Sequence, residues 1–134
     1  MRILVLGATS GIGQSIVNQF SKDNELILVG RSLNKLKSIT SKNNPNISLV
    51  EYDLSNQISL ITNKIKDLKI DLLIHGSSSS SSLMDSDLNA ITLMKNIDIE
   101  LKNTFDLIEW LINKNKDLQI IFISTILTKL HTSN

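Results

Sequence analysis

The 134-residue chain has no cysteine, which excludes a disulfide framework, a thiolate nucleophile and a thiolate metal site. Its two histidines, His75 and His131, are too few for a histidine-rich metal centre. No metal site is expected. Charge of one sign is also missing: the formal net charge is +1, so nothing electrostatic points to nucleic acid or to an anionic membrane as a partner. The longest apolar run, Ile3 to Ala8, has six residues, far short of the ~18 that cross a bilayer and short for a signal-peptide core. Tyrosine occurs once, as Tyr52. The expectation is a soluble, cytoplasmic protein without nucleic-acid or membrane partners.

What is present is an ordinary globular composition, 41% hydrophobic and 20% charged, in a length that suits a single domain over residues 1–134. Short apolar runs alternate with longer stretches of helical period, which predicts βαβ units and a parallel sheet. Five strands read as Arg2 to Leu6, Glu25 to Val29, Ile47 to Tyr52, Asp71 to Ile74 and Gln119 to Ser124. Their continuous Ile, Leu and Val are the mark of strands covered on both faces. Ile12, Ile16, Val17 and Phe20 form one helical stripe, and Leu33, Leu36 and Ile39 form another before Pro45. A third joins Ile58, Ile61, Ile65 and Leu68, with Ser55 as a candidate cap. The fourth helix, roughly Asp87 to Asn113, offers Ile97, Leu101, Ile108, Leu111 and Ile112 as core or interface positions. The fold class is therefore α/β, a doubly wound Rossmann-type parallel sheet of about five strands in the order 3-2-1-4-5. That order puts a ligand crevice outside the carboxyl ends of strands 1 and 4. The serine run Ser77 to Ser82 reads as an exposed loop or as a serine-lined substrate or phosphate contact.

At the end of the first strand, Gly7-Ala8-Thr9-Ser10-Gly11-Ile12-Gly13 leads into the first helix. Glycine lets the backbone turn sharply and approach a pyrophosphate, while free amides and the positive helix end attract the anion. A dinucleotide suits such a cradle; a tight turn without a ligand is the alternative. The spacing is Gly-x-x-x-Gly-x-Gly and not the regular Gly-x-Gly-x-x-Gly fingerprint. With Thr9, Ser10 and Ile12 in its gaps, it resembles the cofactor loop of the short-chain dehydrogenase/reductase family.

That resemblance implies hydride transfer between a nicotinamide cofactor and a small-molecule carbonyl or alcohol, and it assigns roles along the chain. Gly30-Arg31-Ser32 ends the second strand near the adenosine ribose. Gly30 stands where NAD-preferring members carry an acid, and Arg31 offers a fork to a 2′-phosphate. NADP(H) is thus favoured over NAD(H), with Arg31 and Ser32 as contacts; a plain surface arginine is the competing account. Asp53-Leu54-Ser55 resembles the family's pair beside the adenine, and Asp53 or Ser55 equally suits a cap on the third helix. His75-Gly76-Ser77 would run under the cofactor, where small residues let the backbone pass. His75 replaces an asparagine, and a polar residue hydrogen-bonded between strands is the alternative to a catalytic histidine. Glu100-Leu101-Lys102-Asn103-Thr104-Phe105 resembles Asn-Leu-x-Gly-x-Phe, with Glu100 in place of a relay asparagine or as a solvent-facing acid.

Carbonyl reduction leaves an alkoxide that needs a proton. The family supplies it from Tyr-x-x-x-Lys, whose i and i+4 positions share a helix face so that the lysine lowers the tyrosine pKa from ~10. Here Tyr52 is followed four residues later by Asn56, so the dyad is absent. Thr125 aligns with the family's carbonyl-binding serine, although Ser124 and Thr125 also suit strand-end residues bonded to local backbone. By this alignment the family tyrosine would fall just beyond Asn134, and the chain is incomplete relative to the family. Two functions compete: an NADP(H)-dependent oxidoreductase inactive alone, and a non-catalytic NAD(P)-binding or regulatory module. A non-binding structural remnant is the third. Strand 5 would be an exposed edge, to be covered by a missing C-terminal half, a second copy or the tail Ile126 to Leu130.

Overall fold

Runs of Ile, Leu and Val need cover on both faces, and of the five parallel runs the first, second and fourth have it, whereas the third is interrupted by Ser48 and the fifth leaves Ile121 and Phe122 exposed, against the expectation for these two. The computed structural model describes residues 1–40, 43–76 and 90–123. The strands are β1 (Arg2–Leu6), β2 (Glu25–Gly30), β3 (Ile47–Glu51), β4 (Leu72–His75) and β5 (Gln119–Phe122), paired in the order β3-β2-β1-β4-β5. Between them lie α1 (Gly11–Phe20), α2 (Leu33–Ser38), α3 (Ser59–Ile65) and α4 (Ala90–Lys114). The sheet is the doubly wound α/β arrangement expected from the alternation of elements.

Side chains alternate across each strand, so the sheet builds two cores. On one face Leu4, Leu6, Ile27, Val29 and Leu73 pack with Ile61 and Ile65 of α3 and Leu107, Ile108 and Leu111 of α4. On the other, Ile3, Val5, Leu26, Leu28, Leu72 and Ile74 pack with Ile16 and Val17 of α1 and Leu36 of α2. Each such buried aliphatic side chain is worth about 1.5–3 kcal/mol relative to exposure. Register then sets the functional geometry. Leu6 lies beside Val29 and His75, Val29 beside Val50, and His75 beside Phe122. The carboxyl ends are level, and the loops that follow them share one rim.

Three expectations need correction. In α1 only Ile16 and Val17 reach the core; Ile12 is 48% exposed and Phe20 also faces out, because the helix presents a narrower stripe to the sheet. In α4 Ile108 and Leu111 are core, whereas Ile97, Leu101 and Ile112 are exposed and Leu107 takes the remaining sheet-facing position. Neither Asp53 nor Ser55 caps α3, which starts at Ser59 with Ile58 at its N-cap and no side-chain cap bond. Instead the backbone amide and hydroxyl of Ser55 both donate to Asp53 Oδ1 at 2.9 Å. This is a self-contained Asx turn. The strand ends differ from expectation by a single residue at β2, β3 and β4, and β5 is described only to Phe122 and the following Ile123.

Among the described residues no helix is long and apolar enough to cross a membrane. None of their His, Asp and Glu form a group able to hold a metal ion.

Candidate functional site

The carboxyl rim opens with a turn that only glycine makes easily. Gly7 has φ 75°, in the left-handed region that L side chains avoid, and its amide and that of Ala8 both donate to Val29 O at 3.1 Å. The chain is thereby tied to β2 before it enters α1. Ser10 is the N-cap: its Oγ accepts from the Gly13 amide at 3.3 Å and donates to Gly7 O at 3.2 Å. Gly13 is demanded by packing, since a Cβ there would lie 1.8 Å from Ala8 O. Gly11 is not, since a Cβ there would meet nothing within 4 Å. Among the described residues the amides of Thr9, Gly11 and Ile12 have no acceptor. An anion at this helix terminus would satisfy them.

At the end of β2, a Cβ on Gly30 would come within 2.9 Å of Thr9 Cγ2 and 3.2 Å of Leu36 Cδ2. The glycine loop and α2 therefore close over this position. Arg31 follows, exposed. Ser32 has a structural task of its own as N-cap of α2, its Oγ accepting from the Lys35 amide at 3.3 Å.

The turn after β3 is joined to β2 by the Tyr52 amide, which donates to Gly30 O at 2.9 Å. It is joined to α4 by Asn103, whose Nδ2 donates to Leu54 O at 2.6 Å and to Asn56 O at 3.0 Å. The Leu54 side chain packs against the core, so its backbone and its side chain are both engaged. Tyr52 is buried, and its hydroxyl donates to Asn56 O at 2.9 Å. Burial, and then the charge of Asp53, push its pKa above the ordinary value. One helical turn before Asn103 stands Glu100. It is half-buried, and its carboxyl is pushed up first by burial and then by Asp53, with Arg31 opposing. The solvent-facing acid of the sequence reading is therefore a partly desolvated one beside Asp53 and Arg31.

At the end of β4 the His75 Nε2 lies 3.4 Å from Thr104 Oγ1, and its ring centre is 5.3 Å from that of Phe122. Burial pulls its pKa down, so the ring is held neutral. Gly76 donates to Leu6 O at 2.9 Å, and a Cβ there would make only ordinary contact, 3.5 Å from Ile123 Cδ1 and Leu6 O. Ser77, the serine run to Ser82, and Ser124 and Thr125 lie outside the described residues. The rim thus brings together the loop Gly7 to Gly13, Gly30 to Ser32, Asp53 to Leu54, and His75 to Gly76. Asn103 and Thr104, which pin α4 to two of these segments, escaped the sequence reading. They lie among charged residues, Glu100, Lys102 and Asp106, so their sequence setting did not single them out.

The opposite rim contrasts with this. A polar groove there is lined by Met1, Arg2, Glu25, Lys69 and Asp71 among others, and four of its charged groups are paired. Arg2 pairs with Glu25 at 2.6 Å and Lys69 with Asp71 at 3.4 Å. The Arg2 amide, donating to Asp71 Oδ2 at 2.8 Å, is the largest cause of a lowered Asp71 pKa.

The family model described as short chain dehydrogenase matches residues 1–133. No curated protein matches the chain significantly. Among solved structures, ElxO with NADP bound superposes with a TM-score of 0.70 at 22% identity, over 98% of this chain and 57% of that one. A short chain dehydrogenase/reductase from Saccharomyces cerevisiae gives a TM-score of 0.72 at 24% identity, over 93% of this chain and 53% of the other. A short chain dehydrogenase from Bacillus anthracis gives 0.70 at 22%, over 99% and 58%. At such identities the likeness is one of fold. The chain spans little more than half the length of these structures.

Proposed function

We propose, since this chain belongs to the short chain dehydrogenase family, that its carboxyl rim binds a nicotinamide dinucleotide and prefers NADP(H) to NAD(H). The observation that carries the reading is the loop Gly7 to Gly13, where three amides with no acceptor among the described residues surround the start of α1. The residues fit a pyrophosphate: Thr9, Ser10, Gly11 and Ile12 are all exposed, and Gly11 leaves open space where a side chain would stand. Arg31 would take the 2′-phosphate, helped by Ser32 where its cap bond allows. Gly30 itself carries no acid and has little room for one. Asp53 would accept from the adenine amine, while Leu54, His75, Gly76 and Ser77 would shape the surface under the cofactor. ElxO, with NADP bound, has the same fold.

A bound nicotinamide supplies hydride to a carbonyl or accepts it from an alcohol. The groups of this chain hold the cofactor, and Thr125 would donate a hydrogen bond to the substrate oxygen. The family's Tyr-x-x-x-Lys proton donor has no counterpart among the described residues. Tyr52 is buried with its hydroxyl committed to Asn56 O, and its raised pKa keeps the proton on. This favours the second reading in solution, in which the chain alone binds cofactor without turnover and the edge of β5, unpaired among the described residues, receives a second copy or further polypeptide. The cytoplasm is the compartment this reading assigns.

Isothermal titration with NADPH and NADH tests it. NADPH is expected to bind more tightly, and Arg31→Ala to bring the two affinities together. Undetectable binding of both would remove the proposal.

A further inference from the structure

Asn103, half-buried near the middle of α4, reaches out of its own helix. Its Nδ2 donates to Leu54 O at 2.6 Å and to Asn56 O at 3.0 Å, so both amide hydrogens are engaged by carbonyls of the turn after β3. Asn56 O also accepts from the Tyr52 hydroxyl at 2.9 Å, whereas Leu54 O has no other donor among the described residues. Leu54 is the chain neighbour of Asp53, and the turn closes on that residue. The Asn56 amide donates to Asp53 O, and the Ser55 amide and hydroxyl both donate to Asp53 Oδ1, each at 2.9 Å. Asp53 Oδ2 receives no hydrogen bond among the described residues. One carboxylate oxygen is thus fixed in the turn, and the other is left for a donor on a ligand. The pattern that residues 100–105 resemble has glycine where Asn103 stands, and glycine has no side chain to make either bond.

On the basis of the dinucleotide reading, we propose that Asn103 is a positioning residue for the adenine of the cofactor: by holding Leu54 O it sets the peptide next to Asp53, and so the direction in which Asp53 Oδ2 meets the adenine amine. A hydrogen bond weakens steeply as it bends, and one to a carboxylate is stronger than one between neutral groups, so direction at this oxygen matters. The bonds inside the turn fix Asp53 against Ser55 and Asn56 but not against the rest of the rim. The Tyr52 amide ties the start of the segment to Gly30 O of β2, and Asn103 ties its far part to α4. That helix is in turn seated through Leu107, Ile108 and Leu111 on the sheet face that includes Leu4 and Leu6 of β1. The adenine contact is thereby referred to the strand that carries the glycine loop. Asn103 itself touches no cofactor and acts through Asp53.

The test measures by calorimetry the binding of NADPH and of its hypoxanthine analogue, in which a carbonyl oxygen replaces the adenine amine. The proteins are the native chain, Asn103→Asp, Asn103→Ala and Asn46→Ala, with circular dichroism to establish that each variant is folded. Aspartate keeps the size of asparagine and sets acceptors against two carbonyls, and alanine removes the side chain without that repulsion. Asn46→Ala is the control for lost stability, since it removes a side-chain bond to a backbone carbonyl, Ser21 O at 3.2 Å, on the opposite rim. The native chain is expected to prefer NADPH roughly ten-fold, the low end for a hydrogen bond to a charged group. In both Asn103 variants the preference should fall to near one, and in Asn46→Ala it should keep its native value. Folded Asn103 variants that retain the preference would overturn the positioning role and leave cofactor binding standing. Loss of the preference in Asn46→Ala as well, or equal binding of the two nucleotides by the native chain, would do the same. Absence of binding of either nucleotide to the native chain would overturn both.

Discussion

A Cβ on Gly13 would sit 1.8 Å from Ala8 O, whereas one on Gly11, two residues earlier, would meet nothing within 4 Å. The same substitution should therefore do different things. Gly13→Ala has to part α1 from the loop and is expected to cost about 1–3 kcal/mol or more, read as a lower urea midpoint. Gly11→Ala should leave stability within about 1 kcal/mol of the native chain but weaken NADPH, since the added methyl stands where the pyrophosphate would lie. Equal destabilisation at the two positions would contradict this division of labour. The loop was legible because its demands fall on the backbone, and glycine is the residue that meets them. The setting of His75 was legible only as one of two readings, since its partner Thr104 is 29 residues away in sequence.

His75 also gives a pH prediction. Burial lowers its folded pKa below the unfolded value of about 6.5, so its contribution to stability is present above that pH and is lost as pH falls through the folded pKa. Glu100 has the opposite sign. With its folded pKa raised, its contribution is present below the unfolded pKa of about 4.3 and is lost as pH rises through the folded value. Urea unfolding followed from pH 4 to pH 8 should accordingly show a smaller loss below about pH 6.5 in His75→Gln than in the native chain. An unchanged slope would mean that the ring is not held neutral in the folded protein.

Helix α4 shows why packing was harder to read than pattern. Apolar residues occur around much of its circumference: Ile91, Met94, Ile97, Leu101, Phe105 and Ile112 are exposed, while Leu107, Ile108 and Leu111 are buried. Periodicity alone could not choose among such stripes. The choice is made partly by polar groups, with Thr104 beside His75 and Asn103 on the turn after β3. Asn103→Ala removes two hydrogen bonds and is expected to cost about 1–2 kcal/mol. Because the bonds end on Leu54 and Asn56, the loss should be local. Hydrogen exchange is expected to quicken at the Ser55 and Asn56 amides, which are bonded to Asp53, while amides of β1 keep their protection. Uniform acceleration across the sheet would mean that Asn103 supports the whole fold and not this turn.

The strand order was legible because crossover handedness and level registers leave few ways to join five parallel strands. What stayed hidden was the state of Tyr52, whose position in the sequence excludes the family dyad but does not say where its hydroxyl goes. In the folded chain the phenol is buried and bonded to Asn56 O at 2.9 Å, and both burial and Asp53 hold its proton in place. A group in that state neither donates a proton to an alkoxide nor exchanges one with solvent readily. The chain of 134 residues is accordingly expected to bind NADPH and to leave it unoxidised in the presence of simple aldehydes and ketones. Binding would show as stabilisation, about 2.7 kcal/mol at a hundred-fold excess over Kd, and absorbance of the reduced nicotinamide would show any turnover. Tyr52→Phe sharpens the comparison. If Tyr52 serves only the turn after β3, the variant loses some stability and keeps the same NADPH affinity and the same null rate. Turnover in the native chain that disappears in Tyr52→Phe would instead make this tyrosine the proton donor, and would require the Asn56 bond to open whenever cofactor and substrate are bound.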